Sequence, residues 1–314
     1  MIRIGIDVMG GDHAPEVTTL GCILAFNELP GDSQLVLFGD KQKISEIALN
    51  HGFDPAQFNI VDTPEVIEMG DNPSKAFTQK PNSSISVGFK YLYADKIDGF
   101  ASAGNTGAMM VGTMYTIKSV DGIIRPVITA SIPMPNGKYK VFMDVGLNAD
   151  CKPEVLVQFA LLGSIYVETF YGIKNPKIAL LNIGSEDEKG NLLTKATFQL
   201  LKSSKEFNFI GNIEGNDFFN DKADVVICDG FTGNIVLKQA EAFYSILKER
   251  NIHDPYLDQL NSEDFGGTPV LGVNKPVIIG HGHSSEIAIK NMILMTRDVI
   301  CKELTDKIKQ AFKE

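Results

Sequence analysis

One pattern constrains this chain more than any other: a short apolar run, then a polar glycine-rich turn, then a longer stretch with an apolar helical face, repeated along most of its length. Ile2 to Val8, Leu35 to Phe38, Phe58 to Val61, Gly99 to Ala101, Ile178 to Ile183, Phe207 to Ile210, Asp224 to Cys228 and Pro276 to Ile279 read as strands. Helical stretches follow from Pro15, from the Asn82-Ser83-Ser84 cap to Tyr93, and over Met109 to Ile117, Pro153 to Phe170, Leu192 to Lys202 and Ile235 to Arg250. A last helix runs from GHGHSSE to Phe312. Alternation of this kind predicts an α/β fold, a mostly parallel sheet covered on both faces. Val127 to Ile132 and Lys140 to Val145, joined through Pro133 and Pro135-Asn136-Gly137, predict one antiparallel hairpin within it. Asp62 to Pro81 reads as a polar connection.

In open parallel sheets, ligands bind at the carboxyl ends of strands. Six polar loops fall there, 9–13, 102–107, 144–152, 183–191, 229–234 and 280–286, and the alternation predicts that they face one rim. Ser102 to Ala108, SAGNTGA, joins a strand to a helix and so offers backbone N–H groups with no intrahelical partner to an anion. The plainer reading of the same stretch is an ordinary N-cap by Asn105 or Thr106. The other loops add Asn148, Thr232, Asn234, Ser284, Lys152, Lys189, His13 and His281, and the carboxylates Asp7, Asp12, Asp144, Glu186 and Asp229. Such a set suits an oxyanion held by oriented dipoles and one or two cations. Cys151, beside Lys152, reads as a small buried hydrophobe or as a thiolate nucleophile. The carboxylates suit Mg²⁺ or loop bracing, and nothing in the pattern requires a metal. GIDVMGGDHAP has glycines without dinucleotide-binding spacing.

Composition adds bounds. With 44% hydrophobic residues and a net charge of −10, the 314-residue chain reads as globular, and its charge argues against non-specific nucleic-acid binding. The four cysteines are scattered, as reduced thiols would be, and no apolar run reaches membrane-span length. The strand-like start leaves no room for a signal peptide, so a cytoplasmic location is expected. Lys138, Lys140, Lys174 and Lys177 read as a solvated lysine face or as docking charges.

GIDVMGGDHAP, SAGNTGA, DVGLNADCKPE, LNIGSEDEKGN, DGFTGN and GGTPVLGV, in that order from Ile4 to about Lys290, resemble the consecutive motifs of the bacterial phosphate acyltransferase family of phospholipid synthesis. The resemblance implies a Rossmann-like αβα sandwich related to phosphotransacetylase and the isocitrate dehydrogenase group, filling 1–314 as a single domain. It implies transfer of a fatty acyl group from acyl-acyl carrier protein to inorganic phosphate, without a cofactor. It further implies a homodimer, coupling to a membrane glycerol-3-phosphate acyltransferase, and peripheral attachment to the inner membrane face. The segment corresponding to Lys75 to Ser84 carries only Lys75 and Lys80 where relatives are more basic, and 241–264 is shorter than usual.

With that chemistry, phosphate is expected on Gly104, Asn105, Thr106 and Gly107, with Lys152 and Asn148 as catalytic neighbours and His281 protonating the departing thiolate. Gly10, Gly11, Asp12, His13, Ser83, Ser84, Asp144, Gly184, Glu186, Asp229, Thr232, Asn234 and Ser284 complete the expected substrate-binding set. Two other enzyme readings compete: a phosphotransacetylase-like enzyme using acyl-coenzyme A, and a metal- and NAD-dependent dehydrogenase. A non-catalytic phosphate-ligand binding protein is a third class.

Overall fold

The computed structural model describes residues 1–261 and 265–313. In chain order, β1 (Ile2–Asp7), α1 (Glu16–Glu28), β2 (Ser33–Gly39), α2 (Lys41–Asn50) and β3 (Asn59–Asp62) come first. Next are α3 (Pro73–Gln79), α4 (Ser84–Tyr93), β4 (Gly99–Ser102) and α5 (Thr106–Gly112), which runs on as a π-helical turn, Thr113–Ile117. The middle of the chain forms β5 (Val127–Pro133), β6 (Tyr139–Met143), α6 (Pro153–Tyr171), β7 (Lys177–Leu181), α7 (Leu192–Ser203), β8 (Asn208–Ile213), β9 (Val225–Ile227) and α8 (Gly230–Glu249). The chain closes with β10 (Thr268–Leu271), β11 (Val277–Ile279), α9 (Glu286–Cys301) and α10 (Leu304–Ala311). Two compact units result, Met1–Ser119 with Ser262–Thr305, and Val120–Asn261 with Asp306–Glu314.

In the first unit, β3, β2, β1, β4 and β11 lie side by side and parallel, and β10 pairs antiparallel with β11. Ile4, Ile6, Leu37, Phe38 and Phe100 are wholly buried, as strands covered on both faces must be. Phe38, Phe89 and Phe100 meet edge-on, with centroids 5.8 and 5.2 Å apart. Each such burial contributes about 1.5–3 kcal/mol. Helices α1 and α9 approach closely at Gly21, where a Cβ would stand 2.5 Å from Ile289, so only glycine permits the packing.

In the second unit, β5 and β6 form the expected antiparallel hairpin, and β6, β9, β7 and β8 continue in parallel. Its core gathers Phe142, Val226, Ala179, Ile213 and Phe218. Lys140, expected in a solvated lysine face, is instead fully buried in β6. Its ammonium donates to the carbonyls of Asp217 (3.0 Å) and Phe218 (2.9 Å), and burial lowers its pKa to about 8.

Other differences have local causes. The 62–81 connection contains α3, because Asn72 accepts from the Lys75 N–H at its N-terminus and Pro73 fits the first turn. The predicted final helix is two, α9 and α10, broken where Glu303 takes a left-handed φ of 54°. Strand β10 was not foreseen. DGFTGN is not a loop before α8 but its first turn, since α8 begins at Gly230 under an Asp229 cap. Of the short 241–264 segment, residues 262–264 lie outside the described residues.

Candidate active site

The six strand-end loops fall three to a unit. In the first unit, 9–13, 102–107 and 280–286 leave the carboxyl ends of β1, β4 and β11, which are adjacent and parallel. In the second, 144–152, 229–234 and 183–191 follow β6, β9 and β7, also adjacent and parallel.

Asp7 anchors the first cluster. It is 1% exposed, accepts the Ser102 hydroxyl at 2.6 Å and the Met9 N–H at 3.0 Å, and is also bonded to Ser84. Burial pushes its carboxyl up, against these hydrogen bonds. Ser102 Oγ in turn accepts the Gly104 N–H at 2.9 Å, so one carboxylate sets the entry to α5. A Cβ on Gly10 would overlap Asp7 Oδ2 and stand 2.7 Å from the Gly104 nitrogen, which explains the glycine at that crossing. The Asp12 N–H reaches the Gly282 carbonyl at 2.7 Å, tying the third loop to the first.

Asp144 does the same in the second cluster, with different partners. It is wholly buried and accepts from the backbone N–H groups of Gly146 (3.1 Å), Leu147 (3.0 Å) and Asn148 (2.6 Å), and from Asn148 Nδ2 (2.8 Å). Burial again pushes its carboxyl up. Gly230 donates its N–H to the Asn148 carbonyl at 2.7 Å, and a Cβ on Gly233 would overlap the Asp144 carbonyl oxygen. Asp229 caps α8 through the Thr232 N–H (2.8 Å) and hydroxyl (2.9 Å), and Asn234 Nδ2 donates to the Val145 carbonyl at 3.3 Å.

Several expected ligand groups are therefore committed to the protein itself. The Asn105 amide donates to the carbonyls of Glu68, Met69 and Asp71 at 3.0–3.1 Å, and its Oδ1 caps Ala108 N–H. Both amide hydrogens of Asn148 are used, on Pro126 O (2.9 Å) and Asp144, so the expected catalytic donor has none left for substrate. Ser83 caps α4, Ser84 holds Asp7, and Ser284 donates to the His281 carbonyl at 2.6 Å. Lys80 pairs with Asp71 at 2.6 Å. In contrast, Asp12, His13, Thr106, Glu186 and Lys152 are exposed, Lys152 at the N-cap position of α6, and Gly107, Gly11 and His281 are half-buried. Gly184 is buried beside Glu186 and Lys189, within its own loop.

Cys151 is half-buried, and burial together with Asp144 and Asp229 pushes its thiol up to about 12. A thiol in that state carries almost no thiolate at neutral pH. Cys22 and Cys228 are buried and pushed up as well. Asp7, Ser102 and Lys140 are the structurally decisive residues left outside the expected site. A strand-ending Asp-Val followed by glycine, at Asp7 and again at Asp144, is the signal that marks the first.

The sequence model of the fatty acid synthesis protein family matches residues 2–307. A protein of Dictyoglomus thermophilum named phosphate acyltransferase is 41% identical over 98% of this chain and 96% of its own length. The chain belongs to the phosphate acyltransferase family. A second member, from Halothermothrix orenii, is 40% identical over 98% of both chains. Among solved structures, a phosphotransacetylase from Streptococcus pyogenes shares the fold with a TM-score of 0.65 at 17% identity, covering 95% of this chain and 94% of its own. Among the described residues, no helix is long and apolar enough to cross a membrane.

Proposed function

We propose that this acyltransferase moves a fatty acyl group from acyl-acyl carrier protein to inorganic phosphate, releasing the carrier thiol and an acyl phosphate for phospholipid synthesis. Membership of a family whose members are named phosphate acyltransferase, over nearly the whole chain, carries the reading. The state of the cysteines supports direct transfer: Cys151, the one thiol in a candidate loop that is not fully buried, is held protonated. Phosphate dianion is itself a nucleophile near neutral pH. One of its oxygens adds to the thioester carbonyl, the carbonyl electrons move to oxygen, and collapse of this tetrahedral oxyanion expels the thiolate, which takes up a proton. The protein's task is then to align the two substrates and stabilise the oxyanion.

The buried Asp7 and Asp144 brace these loops, which gives substrate a fixed frame for that alignment. Lys152, exposed and cationic, supplies charge toward phosphate, and His281 a proton toward the thiolate. On this reading Asn105 and Asn148 shape the loops and do not contact phosphate. The whole chain works as one catalytic domain, as a cytoplasmic homodimer at the inner membrane face that hands its product to a membrane glycerol-3-phosphate acyltransferase. An acyl-coenzyme A donor is the second reading, favoured by the shared fold with phosphotransacetylase.

Hydroxylamine trapping of acyl phosphate, from phosphate plus either hexadecanoyl-acyl carrier protein or hexadecanoyl-coenzyme A, separates the two. Product from the carrier protein alone is expected. Product mainly from coenzyme A moves the protein to the second reading, and product from neither removes both.

A further inference from the structure

The second unit contains an apolar groove of about 480 Å³ between α8, the Gly215–Asp217 turn with Phe218 and Phe219, and the Leu257–Leu260 turn. None of the twelve described residues that line it is charged, and the polar side chains among them are Gln239, Tyr244 and Tyr256. The Tyr256 hydroxyl is directed away to the Pro133 carbonyl at 3.2 Å. The floor is fixed: Phe218 packs edge-on against Phe142 with centroids 4.7 Å apart, and buried Lys140 holds the Asp217 and Phe218 carbonyls. The mouth is open, with Phe243 61% and Phe219 39% exposed.

We propose that this groove receives the hydrocarbon tail of a long-chain fatty acyl substrate; the proposal rests on the acyl-transfer reading above. Three observations select that occupant. The volume lies within the roughly 300–1,000 Å³ of sites that enclose ligands of a few tens of atoms, far more than an acetyl group occupies. The groove follows α8 from Val236 to Leu247, about 16 Å at the helical rise, which matches an extended chain and not a compact ring. It also begins two residues beyond Asn234, so a thioester at the Asp229–Asn234 turn would have its tail led along the helix. The apolar side chains described along it gain free energy with every methylene they cover, so the groove sets a preference for long chains.

The test is a chain-length series with Ala240→Phe, which narrows the groove midway, and Phe243→Ala, which widens its mouth. Ala240→Phe should lower kcat/KM for a hexadecanoyl donor by about tenfold or more and leave a hexanoyl donor within about twofold. Phe243→Ala should shift the profile without abolishing it. Equal losses at both lengths, or none, overturn the proposal. So does a change of oligomeric state in Ala240→Phe by light scattering with an unchanged length profile, which would make the groove an interface between copies. A dansyl-labelled undecanoic acid separates this proposal from the reaction itself. If wild type makes no acyl phosphate yet binds the probe, and Ala240→Phe does not, the groove stands while the acyl-transfer reading falls. No probe binding by wild type overturns the groove.

Discussion

The two units solve the same problem with one residue each, in different ways. Asp7-Val8, a glycine turn, Asp12 and Pro15-Glu16 lead from β1 into α1, while Asp144-Val145, a glycine turn, Asp150 and Pro153-Glu154 lead from β6 into α6. In both, a buried carboxylate at the strand end accepts from the loop behind it, and a glycine of the neighbouring loop crosses above it. The partners differ. Asp7 accepts from the hydroxyls of Ser102 and Ser84, which rotate and can reverse, as well as from the Met9 and Gly10 N–H groups, whereas Asp144 accepts only from groups that cannot reverse, three backbone N–H groups and one amide. The first unit's cluster should therefore be adjustable and the second's rigid.

Gly233→Ala should be the most damaging substitution in either cluster. Its methyl group would overlap a backbone oxygen of Asp144, and overpacking of this kind costs about 3 kcal/mol or more. Gly10→Ala meets a carboxylate and the Gly104 backbone and should cost less, as the urea midpoints followed by circular dichroism would show. Asp144→Asn comes next. It leaves a buried N–H facing an NH₂ group and should cost about 3 kcal/mol, against about 1 kcal/mol for Asp7→Asn, where a serine hydroxyl can turn to accept from the new NH₂ group. Equal losses in the two variants would erase the distinction.

Lys140 adds a pH signature to the second unit. Its folded pKa, about 8, lies below its ordinary value of 10.5, so the folded chain loses the proton first. Between those values the unfolded chain binds more protons, and stability rises with pH. Wild type should therefore gain on Lys140→Met from pH 8 to 10.5, by up to about 3 kcal/mol at 1.36 kcal/mol per pK unit. A difference that stays flat over this range would mean that the ammonium is not buried. The smallest effect belongs to Cys151→Ala: turnover should stay within about twofold, because a thiol held near 12 supplies no nucleophile.

How much of this could be read from the chain follows from the range of the interactions. Strand-to-helix alternation and the β5–β6 hairpin are local patterns, and they stood in the sequence. The positions of the six loops did too, since glycine and Asx residues mark strand ends. Side-chain allegiance is a tertiary matter. Asn105 and Asn148 have the chemistry of anion donors, but turns 68–71 and the Pro126 carbonyl, distant in sequence, claim their hydrogens. Lys140 looked solvated because four lysines recur near the hairpin and the next strands, and only the Asp217 and Phe218 carbonyls turn it inward. Helix α3 was hidden in a stretch rich in charge, although Asn72-Pro73 is a legible start signal.

If phosphate and not the protein attacks the thioester, leaving phosphate out must stop the reaction at its first step. Mixing the protein with hexadecanoyl-acyl carrier protein in phosphate-free buffer should release no burst of carrier thiol until phosphate is added, and the intact protein mass should stay unchanged both before and after that addition. A burst of about one thiol per chain, with an acyl adduct on Cys151, would contradict it.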